Sequence, residues 1–168
     1  MVAIGNPMGE AAPMKIPSPN PPAPSVTASG WHLPVMVAAT VLFALRVAAQ
    51  AVQRWAPVAW LPPAGAFQGS GLPYPLLLTA QLAILALMLR AGGRLAAGVL
   101  VPRVVLGRRL CACGVLYLTL SLARLAVGLA APEAAAWFRA WIPGLFHLVL
   151  AGFVLTLGHF HCSRRIPS

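Results

Sequence analysis

Two arginines, a glutamine and a histidine stand at matching depths in four separate apolar runs: Arg46, Gln81, Arg124 and His147. Guanidinium groups supply fixed positive charge and several N–H donors, and an amide and an imidazole add directional hydrogen bonds. A set so rich in donors suits a ligand that brings acceptors, such as a quinone, an anionic lipid or a small anion. No Asp or Glu falls within the four runs, so no carboxylate there can neutralise the two arginines. A charged side chain at the bilayer centre costs about 2.5–3.5 kcal/mol on insertion scales. The competing reading is snorkelling, in which the long arginine stems carry their heads to the lipid phosphates while Gln81 and His147 bond neighbouring helices.

A second group is His159, His161 and Cys162. Imidazole and thiolate are good zinc or copper ligands. On a helix, however, His159 and His161 point about 200° apart. They converge only where the helix has frayed, and a metal site would then need a partner chain. Haem between histidines of facing helices is a third chemistry. His147 has no histidine opposite it, because His32 opens the first run on the other side of the membrane. Pairing His32 with His159 or His161 would leave a haem at the membrane surface, so haem is disfavoured. Cys111 and Cys113 also diverge by about 200° and are not expected to form a disulfide. No Walker motif, glycine-rich dinucleotide loop, HExxH or GxSxG is present, so the sequence offers no catalytic constellation.

The elements that must position these groups are the apolar runs themselves, at residues 31–52, 72–89, 110–130 and 142–158. About 20 apolar residues span a hydrocarbon core about 30 Å thick. Hydrophobic residues form 60% of the chain and charged residues 8%, against about 25% charged in soluble domains. Open sheets cannot cross lipid, and the runs lack the alternation of barrel strands, so they must be helices. The expected fold is an all-α integral membrane protein: four transmembrane helices in a bundle over residues 31–162, a Pro-rich N-terminal tail over 1–30, and a short basic C-terminus over 163–168.

At 1.5 Å per residue, Arg46, Gln81, Arg124 and His147 each lie roughly 7–11 Å below the same interface. In the third run Gly114, Tyr117, Ser121, Arg124 and Gly128 share one face. Tyr117 and Ser121 are therefore expected beside the polar layer, as further ligand-binding residues. In the fourth run Gly144, His147, Ala151, Gly158 and His161 form a similar stripe, and small residues are what close helix packing in lipid uses.

Orientation follows from the arginines. Arg90, Arg94, Arg103, Arg108 and Arg109 lie between the second and third runs, and Arg164 and Arg165 follow the fourth. The connections 55–71 and 131–141 carry only Arg139 and Glu133 as charged residues, with Trp55, Trp60, Tyr74, Trp137 and Trp141 as an interfacial belt. The positive-inside rule then places both termini in the cytoplasm and the polar layer in the outer leaflet of a cell membrane, by expectation a bacterial inner membrane. The formal charge of +10 fits topology control and anionic headgroups, and nucleic acid is not expected as a partner. The second run is short and needs Leu72 and Pro73, or local thinning, to cross. Residues 95–106 read as an interfacial helix on the cytoplasmic face.

Residues 1–30 hold seven of the seventeen prolines and a single basic residue, Lys15. Such a segment is extended and suited to lying along a partner. The Ala49-Gln50-Ala51 stretch resembles a signal-cleavage site, but Arg46 interrupts the apolar run before it, and the first run is read as a retained helix. The resulting expectation is a non-catalytic accessory or assembly subunit of a larger membrane complex, in contact with lipids and other membrane subunits. The alternative is a small binding or redox subunit holding a quinone, anionic lipid or small anion in the outer polar layer.

Overall fold

The computed structural model describes residues 30–68, 71–131, 133, 138 and 140–163, and the fold is read from these. The tail reading for 1–30 and the basic C-terminus, Arg164 and Arg165 included, fall outside the described residues, Gly30 and Ser163 apart; Trp137 and Arg139 do too. The described residues are helical, without strands: α1 His32–Trp55, α2 Ala64–Phe67, α3 Tyr74–Ala96, α4 Val104–Ala130 and α5 Trp141–Ser163. Four of them, α1, α3, α4 and α5, are long and apolar enough to cross a membrane.

Each long helix shows which face it buries. In α1 the buried positions His32, Met36, Ala39, Phe43, Arg46, Val47 and Gln50 recur every three or four residues, the period of one helical face. In α4 Gly107, Gly114 and Ser121 fall at sevens, and in α5 Gly144, Ala151 and Gly158 do the same. These two small-residue stripes let the α4 and α5 backbones approach closely. A Cβ added at Gly107 would lie 2.7 Å from Cys162 Sγ and 2.9 Å from the Cys162 nitrogen, and one at Gly158 would lie 2.8 Å from Cys111 Sγ. On its other side α5 packs against α1, and α1 packs against α3. The apolar core, with Met36, Phe43, Met88, Leu95, Phe153 and Phe160, joins α1, α3 and α5. Large apolar side chains face outward, Leu87 and Leu116 among them, as lipid contact requires. Hydroxyl groups inside the helices bond back to the carbonyl four residues earlier, as in Thr40 to Met36, Thr119 to Val115 and Thr156 to Gly152.

The helix ends depart from the sequence reading. α3 runs on to Ala96, through Arg90 and Arg94, so the helix is longer than the apolar run it contains. Arginine is a good helix former, and its stem reaches past an apolar boundary without ending the helix. α3 stops at a Schellman motif. Gly98 takes φ 68°, its N–H bonds Leu95 O, and the Val99 N–H bonds Arg94 O. This replaces the expected interfacial helix over 95–106: its first residues complete α3, residues 99–103 form the connection, and Val104 already belongs to α4. α4 begins six residues earlier than expected and carries Arg108 and Arg109 in its first turns. α5 extends to Ser163, so His159, His161 and Cys162 are helical.

Candidate functional site

Arg46, Gln81, Arg124 and His147 line one cavity of about 350 Å³. It lies at the α2 end of the long helices. Phe43 and Arg46 come from α1, Phe67 from α2, Ala80, Gln81 and Ile84 from α3, Arg124 from α4, and Phe146, His147 and Leu150 from α5. Both arginines are buried, 8% and 7% exposed, so neither guanidinium is spread over the helix surface. The walls are otherwise apolar, and Leu72 and Ala80 on its lining are exposed, so part of the lining lies at the surface of the helices.

Each polar group is held by its own support. Arg46 donates from Nη2 to the carbonyl oxygen of Phe67 at 3.0 Å, and its guanidinium carbon lies 5.7 Å from the Phe146 ring centre. The Phe67 bond pins the single turn of α2 over the cavity. Arg46 Nε is buried and has no hydrogen-bond partner. Gln81 donates from Nε2 to Gln50 Oε1 at 3.0 Å, and this leaves Gln81 Oε1 and Gln50 Nε2 buried and unpaired. His147 Nδ1 is hydrogen-bonded to the Tyr117 hydroxyl, with the two rings edge to face. A hydroxyl on Nδ1 fixes the ring's orientation and sets which tautomer it holds.

Tyr117 and Ser121 stand one layer back. Tyr117 meets the cavity lining through its hydrogen bond to His147, and the Ser121 hydroxyl donates to the Tyr117 backbone oxygen. Neither lines the cavity. Gln50 was absent from the sequence-level site, although it lies one turn beyond Arg46 on the same face. Phe67, whose carbonyl anchors Arg46, carried no sequence signal, because backbone acceptors are invisible to side-chain patterns.

The histidine-rich end is arranged differently. His32 Nε2 and His159 Nδ1 lie 2.9 Å apart in a stack that includes Trp31. His161 Nδ1 accepts from the Arg103 N–H at 3.1 Å, and Cys162 packs against Gly107. His159, His161 and Cys162 therefore face three different neighbours. Among the described residues no group of three His, Cys, Asp or Glu side chains converges as a metal site. The helix does not fray there, which is the condition their convergence needed. His32 and His147 lie at opposite ends of the helices, so they do not face one another across a haem-sized gap.

No protein-family model, no curated protein and no solved structure matches this chain.

Proposed function

We propose that this chain is a small multi-pass membrane protein that holds a ligand bearing acceptor oxygens, with a quinone, an anionic lipid or a small anion as the candidate classes. The observation that carries this reading is the convergence of Arg46, Gln81, Arg124 and His147 on one apolar-walled cavity, with Arg46 Nε buried and unpaired. An orphaned buried donor is expensive unless something accepts from it. A carbonyl or phosphate oxygen supplies the acceptor, and the apolar walls accommodate the ring or acyl part. With the arginine-rich connection in the cytoplasm, the cavity belongs to the outer leaflet.

The test is to purify the full-length chain in mild detergent and to quantify co-purifying quinone and phospholipid by mass spectrometry. About one ligand per chain is expected. Arg124→Leu should lower retention about tenfold while leaving insertion intact, since it removes a charge-assisted contact together with a costly intramembrane charge. A wild-type chain free of ligand, or a variant that retains it fully, overturns the reading.

The accessory-subunit role is a second reading, supported by the bareness of α3 and α4. Only 11% and 17% of their apolar windows are buried, against 39% for α1 and α5. Partner helices would cover such faces as well as lipid does. The same purification separates the two readings, because a stoichiometric larger partner favours the accessory role.

A further inference from the structure

A second, smaller cavity of about 240 Å³ lies beyond the Gln50–Gln81 pair and is lined by Gln50, Arg54, Ala64, Gln68 and Tyr74. It shares no lining residue with the larger one. The Gln50–Gln81 hydrogen bond links the two linings, with Gln81 on the larger cavity and Gln50 on the smaller.

The donors here outnumber the acceptors. Gln50 is 2% exposed, and its oxygen is already taken by Gln81. What it offers is its Nε2 group, which is buried without a partner. The Tyr74 hydroxyl is likewise buried without a partner. The Arg54 guanidinium lies 5.9 Å over the Tyr74 ring, and Trp55 meets that ring edge to face. Tyr74 also opens α3, a helix of 23 residues with no acidic residue in its first turn and no side-chain cap. The partial positive charge of that terminus adds to the arginine. Uncapped helix starts are common, but here Gln50, nine-tenths buried and with its Nε2 group unpaired, lines the same space. A neutral acceptor would answer the amide and the phenol, but not the excess positive charge.

We propose that the smaller cavity is an oxoanion site that takes a phosphate group, with Gln50 Nε2, the Tyr74 hydroxyl and the Arg54 guanidinium as its donors. A phosphate presents acceptor oxygens in several directions, which matches donors arriving from two helices, and arginine binds it through paired N–H groups. The volume has room for roughly eight water-sized groups, enough for a phosphate and the glycerol joined to it. The cavity lies beside Trp55 and Tyr74, residue types that concentrate at headgroup depth. A lipid phosphate and free phosphate share this chemistry, and the experiment separates them. The inference stands whether or not the larger cavity holds a ligand.

The full-length chain, stripped of lipid in dodecyl maltoside, is titrated with inorganic phosphate and, separately, with phosphatidylglycerol, and bound phosphorus is read by native mass spectrometry. One phosphate-bearing molecule per chain is expected at this site. Arg54→Gln should weaken its binding about tenfold and Tyr74→Phe about fivefold, as loss of a charge-assisted and of a single hydrogen bond would. Preference for phosphatidylglycerol assigns a lipid headgroup, and equal or better binding of inorganic phosphate assigns a soluble anion. Binding of neither probe, or wild-type affinity in both variants, overturns the proposal and leaves the cavity to water. The two variants touch no residue lining the larger cavity, whose ligand is tested through Arg124→Leu, so failure of one site is distinguishable from failure of the other.

Discussion

Along the α4–α5 seam the two backbones are in contact. Glycines 107, 114 and 158 each face a neighbour so near that a methyl group would overlap it. On the opposite flank α5 packs against α1 and α1 against α3, and larger side chains such as Met36, Phe43, Met88 and Phe153 fill the space. Both cavities and all four unpaired buried polar atoms identified among the described residues lie on that flank or at its rim. Between helices in lipid there is no hydrophobic drive, so association rests on close van der Waals packing. The seam supplies that packing with residues too small to do chemistry. The α1–α3–α5 flank gives up close packing and keeps polar groups at depth. The contrast teaches a division of labour: one helix pair supplies the closest backbone packing, and the other side, not needed for the tightest contacts, leaves room for cavities and buried polar groups.

Breaking the seam should have the largest effect. Gly158→Val places side-chain carbon against Cys111 Sγ and, at 2.9 Å, against the Cys111 nitrogen, and a backbone atom cannot rotate away. Overpacking of this kind costs about 1–3 kcal/mol. A clear fall in melting temperature in detergent is expected, and an unchanged melting temperature would mean that the helices do not meet through Gly158.

The α1–α3–α5 flank should respond less to the loss of a bond. Gln81→Leu removes the donor to Gln50 and leaves both polar atoms of Gln50 unpaired. Hydrogen bonds between helices in membranes are worth about 0.6 kcal/mol on average and up to about 1.7. A loss of about 1 kcal/mol is expected, with most of it regained in the double variant Gln50→Leu/Gln81→Leu, where no amide is stranded. Independent, additive effects in that cycle would remove the pair from the structure.

The smallest change sharpens the comparison from the other direction. Gly93 sits in α3 with nothing within 4 Å of an added Cβ. Gly93→Ala should stabilise the protein by about 0.5–1 kcal/mol through helix propensity alone. The same substitution type would thus stabilise α3 and damage the seam. Destabilisation at Gly93 would show that α3 is covered on that face by something not yet accounted for.

The sequence carried different parts of this with different clarity. The four long helices were legible because twenty apolar residues in lipid have few alternatives. That Arg46, Gln81, Arg124 and His147 stand at one level along the four helices was legible because helical rise is constant. Helix ends were not, since hydropathy falls at Arg90 and Arg108 while the backbone continues through both. The stop at Ala96 was written in Gly98, but a glycine reads as a terminator only once its φ is known. The Gln50–Gln81 pair needed a tertiary alignment of α1 with α3 that no pattern within one run contains. The backbone oxygen of Phe67 could be found only from the fold.

The His32–His159 contact joins residues 127 positions apart, and this sets a timetable for biosynthesis. A ribosome adding about 5–20 residues per second needs roughly 6–25 s to make the later partner after the earlier one has emerged. For that interval the His32 end of α1 has no α5 to meet, while Arg46 and Gln50 already have Phe67 and Gln81, 21 and 31 residues further on, within reach. The middle of α1 can therefore settle against α2 and α3 early and its His32 end only once α5 is made, so the two ends of one helix are secured at different times.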